Sequence, residues 1–266
     1  MMRTLSIEWM KIRNYRTFWI LFAITIICIP AFNYSFYDFT DNTFPKIKGQ
    51  SILGTPFSFP NVWQTVSFNS SLLLFIPAVL IITLTTNEYA YRTHRQNIID
   101  GWSRNQFMLV KLFEVFLFSC IVTLVVFLTA LIFGLNVKAT EPSPYITDSW
   151  FVLSFFVQMI SYSSIAFVLG VLIRRAGLSM GIFFVYMFIE QFVVAIGRNK
   201  FHVKWVNYLP EEVTDMLIPQ PYSPKAFRHG NSQEWNDHVP LYLTVAAFYL
   251  LAYIFICMWR FRKSDL

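Results

Sequence analysis

Six runs of 19 to 25 residues, at positions 18–36, 65–86, 112–135, 149–173, 178–196 and 240–259, contain no Lys or Arg at all. A helix rises about 1.5 Å per residue, so about 20 residues cross the roughly 30 Å hydrocarbon core of a bilayer. Six runs of this length make lipid the solvent of the chain. Open strands cannot satisfy their backbone groups in lipid, so the predicted fold is an all-α membrane protein with six transmembrane helices. Composition agrees: 14% of residues are charged, against about 25% in soluble domains. The longest segment between runs, 197–239, has 43 residues, too few for a soluble domain with its own core. Residues 1–266 are therefore read as one transmembrane domain. "CIPAFNYSF", from Cys28, continues aromatic with no small-residue cleavage site, so the first run is read as a retained span.

Six crossings put both termini on one side. Segments 1–17, 87–111, 174–177 and 260–266 hold 13 Lys and Arg in 53 residues, and the alternate segments hold 8 in 84. The denser set is expected to be cytoplasmic. The net charge of +6 follows from this bias. The basic residues gather on no single element, so nucleic acid is not an expected partner; membrane lipid is. Cys28, Cys120 and Cys257 lie in apolar runs and read as small hydrophobes. The four histidines are scattered through polar segments, which argues against a metal site. No Gly-x-x-x-x-Gly-Lys-Ser/Thr pattern occurs, so ATP, if it drives the protein, must be bound by another chain.

Local signals predict the helix ends. Asn61 with Gln64 has capping-box spacing before the second span, Asp148 can cap the fourth, and Pro240 suits the first turn of the sixth. Pro30 and Pro77 should bend their spans, the latter by leaving the carbonyl of Leu73 without its helical donor.

The most polar helix-like stretch is "NEYAYRTHRQNIIDGWSRNQ", residues 87–106. Asn87 can cap a short helix beginning at Glu88, with Arg92 placed four residues on for an ion pair. That helix should stop near Asp100-Gly101, and Ser103 with Gln106 should open the next as a capping box. The first piece mixes Tyr89, Tyr91, Ile98 and Ile99 with polar residues. Such a helix either meets a protein partner or is an ordinary hairpin at the membrane surface.

"NEYAYRTHRQNIIDGWSRNQFMLVKL" resembles the cytoplasmic signature of ABC-2 type permeases, the membrane subunits of one class of ATP-binding-cassette transporters. The matching residues are Glu88, Tyr89, Arg92, Thr93, Arg95, Gly101, Ser103, Arg104 and Lys111. "EWMKIRNYRTFWILF", from Glu8, resembles the family's N-terminal interfacial helix. "NYLPEEVTDMLIPQP", from Asn207, resembles its external segment of short helices between spans five and six. The resemblance implies that residues 88–101 form a coupling helix that docks on an ATPase subunit, with Glu88, Tyr89, Arg92, Thr93, Arg95, Ile99 and Gly101 as its site. It further implies a second permease copy or a related permease chain, and ATP and Mg²⁺ bound by the ATPase rather than by this chain. His94, within the motif, and the polar outer segment depart from the pattern.

Glu190, in "VYMFIEQFVVAI", is the one carboxylate deep in a span, and such a residue costs a few kcal/mol to insert. It reads either as lining the translocation path or as an acid hydrogen-bonded to a neighbouring helix. Glu114, one turn into the third span, reads as a surface acid pairing with Lys111. Two rival functions follow from these residues. A proton-coupled secondary transporter would use Glu190, but the two halves of the chain show no pseudo-repeat. An intramembrane protease would use Glu88-x-x-x-Arg92, but position 87 is Asn and no span supplies histidines.

Overall fold

The structure, a computed structural model, describes residues 2–43, 46, 47, 50, 51, 56–93, 96, 99, 101–137, 145–222 and 232–263. Its helices are α1 (Met2–Arg13), α2 (Arg16–Thr43), α3 (Val62–Ser71), α4 (Phe75–Ala90), α5 (Arg104–Asn136), α6 (Trp150–Ile173), α7 (Ala176–Asn199), the short α8 (Glu212–Asp215) and α9 (Ser232–Lys263). A 3-10 turn, Lys204–Tyr208, precedes α8. Lys46–Ile47 and Gln50–Ser51 form a two-residue antiparallel ladder, the one strand pairing among the described residues.

By length and composition α2, α5, α6, α7 and α9 can each cross a membrane, and α3 with α4 makes a sixth span bent by 49°. The bend lies just before Pro77, the third residue of α4. Proline has no N–H for the carbonyl of Leu73, and that carbonyl instead accepts from the N–H of Ile76 at 3.0 Å. The tightened turn redirects the chain. Pro30 does not interrupt its helix, since α2 continues through it from Arg16 to Thr43.

Helix α6 is the axis of the bundle. Of its apolar window 61% is buried, against 17–39% for the other long spans, and it packs on α3, α4, α5, α7 and α9. Small residues allow this. In lipid, helices associate through close packing rather than hydrophobic expulsion, and Gly170 of α6 lies against Thr85 of α4. Large side chains point outward instead, as with Phe188 and Phe192 of α7 and Phe248, Leu251 and Phe255 of α9. Several hydroxyl side chains inside the spans turn back onto their own helices. Thr25, Thr83, Thr85, Ser119 and Thr123 each bond a carbonyl four residues earlier.

Three predicted helix ends fall elsewhere, two of them because the backbone supplies partners first. Asn61 makes no side-chain cap. The N–H groups of Val62 and Trp63 already donate to Ser58 and Pro60, and Gln64 donates to the carbonyl of Pro219 at 2.8 Å. At α6 the N-cap is Ser149, without a side-chain bond; Asp148 takes φ 66°, and its carbonyl accepts from Phe151. Helix α9 begins at Ser232, so Pro240 lies within it rather than in its first turn.

The packing at Gly170 is testable. A Cβ there would lie 2.9 Å from Cβ of Thr85, a branched atom next to the backbone that cannot swing aside. Gly170→Ala is expected to destabilise the bundle by about 1–3 kcal/mol through overpacking. Gly181→Ala, with nothing within 4 Å of its new methyl, is expected to cost nothing. Thermal unfolding of the two variants in detergent separates them.

Candidate functional site

Helix α4 does not end at Asn87. It runs on to Ala90, so Asn87 and Glu88 belong to its last turn and Asn87 caps nothing. The chain breaks at Arg92, where φ is 56°. Thr93, Gln96 and Ile99 are helical beyond it, and Gly101 turns the chain with φ 95°. Glycine bears that angle without strain. Arg95, His94, Ile98 and Asp100 lie outside the described residues. The second predicted boundary holds: Ser103 Oγ accepts from the N–H of Gln106 at 3.2 Å, and Gln106 Oε1 accepts from the N–H of Ser103 at 3.0 Å.

The predicted docking residues divide into two groups. Ile99 is 83% exposed, and Arg92 and Gly101 are exposed with it. Glu88, Tyr89 and Thr93 turn inward. The guanidinium of Arg174, at the α6–α7 turn, sits 5.0 Å above the Tyr89 ring. Glu88 is 7% exposed, and its predicted pairing with Arg92 is replaced by other partners. Its Oε1 accepts from Lys111 Nζ at 2.9 Å and its Oε2 from the Thr93 hydroxyl at 2.5 Å.

Lys111 is the centre of this end of the bundle. Its ammonium reaches Glu8 of α1 at 2.6 Å, Glu88 of α4 at 2.9 Å and Glu114 of its own α5 at 3.1 Å. An ammonium has three N–H groups, and three carboxylates take them. Lys11 adds a second cation, 2.9 Å from Glu8 and 3.6 Å from Glu88. Glu114 therefore does pair with Lys111 as its spacing suggests, but in a buried network instead of at a surface. Desolvation costs several kcal/mol per ion, and only close pairing offsets it. Burial alone would raise the Glu8 carboxyl, but Lys111 and Lys11 hold it below the ordinary carboxylate value. What Glu8 contributes to stability is thus present above that value and lost as pH falls below it. A cavity of about 130 Å³ opens beside the cluster, bordered by Glu8, Lys11, Glu88, Thr93 and Lys111.

Glu190 sits at another polar centre. It is 4% exposed, and its Oε1 accepts the backbone N–H groups of Glu211 at 2.7 Å and Glu212 at 2.9 Å. Tyr186, one turn earlier on α7, is hydrogen-bonded to it as well. Neighbouring Gln191 donates to Asp215 at 3.2 Å. Glu190 therefore holds the 204–222 segment onto α7, closer to the hydrogen-bonded alternative than to an open lining position. Two participants escaped the sequence reading, Glu8 as a partner of Lys111 and Asp215 as the acceptor for α6. The available signal was chemical: a buried Lys and buried acids require partners.

The cluster predicts a large penalty for losing its cation. Lys111→Met leaves three buried carboxylates without their central cation, with Lys11 beside two of them, and is expected to destabilise by roughly 3–5 kcal/mol, the usual cost of breaking a buried ion pair. Lys111→Arg should fail to restore stability fully, because a planar guanidinium cannot direct three N–H groups to three helices. Thermal unfolding in detergent measures both.

The comparisons with known proteins bear on the same elements. A family model described as ABC-2 family transporter protein matches residues 4–190. That stretch runs from α1 through the Lys111 cluster to Glu190. A search of curated proteins finds no match. The family match covers more than half of the chain, includes the motif at 87–111, and falls on an all-helical bundle of apolar spans, so the protein belongs to the ABC-2 family of transporter proteins and is a multi-pass permease, a non-enzymatic transport subunit of the kind that associates with an ABC ATPase.

Proposed function

We propose that this permease exports its substrate under the power of a separate ATPase chain, which binds ATP and Mg²⁺ and docks on the connection between α4 and α5. Two copies, or this chain with a related permease, form the translocation path in a bacterial plasma membrane, with both termini cytoplasmic. The observation that carries this reading is the Lys111 cluster. It clamps the root of the connection to α1 and α5, so a push on exposed Ile99 and Arg92 reaches rigid helices instead of bending a loop. Glu88, Tyr89 and Thr93 serve as the root of the connection and Ile99, Arg92 and Arg95 as its contact surface, with Gly101 as the turn that closes it.

Force applied there has a route outward. Helix α4 meets α3 at the proline bend, and α3 holds the 204–222 segment through Gln64 and Pro219. Glu190 holds the same segment from α7. On this reading the segment is the outer gate, and Glu190 fixes it to α7 from within the bundle.

Ile99→Asp tests the docking surface without touching the core. Tagged permease isolated from native membranes is expected to retain its fold but lose at least tenfold of the co-purifying ABC ATPase and its ATP hydrolysis, about 1.4 kcal/mol of binding. Retained ATPase would contradict the assignment. So would uptake or efflux by the purified permease alone in liposomes under a pH gradient.

A further inference from the structure

The 204–222 segment brings three carboxyls, Glu211, Glu212 and Asp215, against Glu190. Three of the four have partners. Glu190 accepts two backbone N–H groups. Glu212 accepts from Arg198 Nη2 at 2.5 Å. Asp215 accepts from Gln158 Nε2 at 2.7 Å, from the Tyr162 hydroxyl at 3.1 Å and from Gln191 Nε2. Glu211 is different. Its residue is 0% exposed, and among the described residues neither carboxyl oxygen has a hydrogen-bond donor. Gln158 Oε1, on the α6 face that meets Asp215, is a second buried acceptor without a donor.

A buried carboxylate with no hydrogen bond and with other acids for neighbours is the least favourable state such a group can take. Adding a proton removes the charge and turns an acceptor-only group into a donor. We infer that Glu211 is a proton-binding site, carried as the neutral acid while the 204–222 segment is docked, and that release of this proton loosens the segment from α6 and α7.

Among the described residues, the surrounding groups give the charge no compensation. Helix α7 presents Glu190, Tyr186 and Arg198, and the Arg198 guanidinium is engaged by Glu212 and Asn207. Helix α6 presents Tyr162 and α9 presents Tyr253. The segment itself adds Asp215 and Glu212. Burial first, then the charges of Glu190 and Asp215, push the Glu211 carboxyl up to about 9. Burial likewise raises Asp215 to about 7.

The inference concerns this chain alone and stands or falls apart from the ATPase reading. A group whose folded pKa is raised lends stability that is complete below its unfolded value and is lost as pH rises through the folded one. The midpoint temperature of the purified full chain in detergent is therefore expected to fall from about pH 5 to about pH 9, and Glu211→Gln to flatten the part above about pH 7, past the titration of Asp215, while keeping the acid-side midpoint. Parallel wild-type and variant curves would overturn the inference. So would a wild-type midpoint that follows added KCl or MgCl₂ at fixed pH, which would assign the site to a metal cation. Infrared spectroscopy reads the proton directly. At about pH 8, above the titration of Asp215 and below that of Glu211, the wild type should show a protonated-carboxyl band that Glu211→Gln removes, or that Glu211→Asp displaces if the Gln variant does not fold. A spectrum unchanged by substitution would refute the site.

Discussion

An ammonium group has three N–H bonds to give, and in this permease Lys111 gives them to carboxylates on three helices. Two of those helices, α1 and α4, are separated in sequence by the whole of α2 and α3. Their meeting at one buried cation defines an end of the bundle. The pairing also sets the length of α4. Glu88 reaches Lys111 only from a helix that continues past Asn87, which is why the connection to α5 starts at Arg92 and not earlier. The 33 residues of α5, Lys111 and Glu114 among them, span about 50 Å as a helix. At least one turn therefore stands clear of a roughly 30 Å hydrocarbon core.

A second polar anchor organises the segment that returns between α7 and α9. Glu190 accepts the first N–H groups of α8, Asp215 accepts from α6 and α7, and Val213 and Leu217 pack on Tyr242 and Ala246 of α9. Between the anchors runs the bent second span. Its bend carries its own polar patch, where Asn33 of α2 donates to Ser70 and Asn69 donates to Asn33. Tyr222, at the end of the returning segment, donates to Asn69. The bend and the outer segment are thus tied to each other as well as to their own helices. Lipid makes each tie matter, because an unpaired polar group finds no water to replace its partner.

The six apolar runs made the spans legible because hydrocarbon thickness dictates their length. Pro77 and Gly101 were legible because each constrains its own backbone. The capping box at Ser103 and Gln106 was local as well. What local spacing could not reveal was competition. Gln64 has the spacing to cap α3 but is used by Pro219, 155 residues on. Glu88 has the spacing to pair with Arg92 but is taken by Lys111. Glu190 is held by the backbone N–H groups of Glu211 and Glu212, partners that no pattern along α7 announces. Tyr89 read as a docking aromatic because its partner, Arg174, lies two spans away. The family's signature was recognisable along the stretch, yet four of its residues, Glu88, Tyr89, Thr93 and Lys111, turn out to face inward.

If the Lys111 cluster makes α1 and the last turn of α4 one rigid block, their separation must survive the transport cycle. Met10 on α1 and Tyr91 at the end of α4 are both exposed and accept spin labels. Their distance distribution, measured in the assembled transporter without nucleotide and with ATP trapped, is expected to be a single narrow peak that does not move. A distance that broadens or shifts on ATP binding, with the cluster residues intact, would contradict the account.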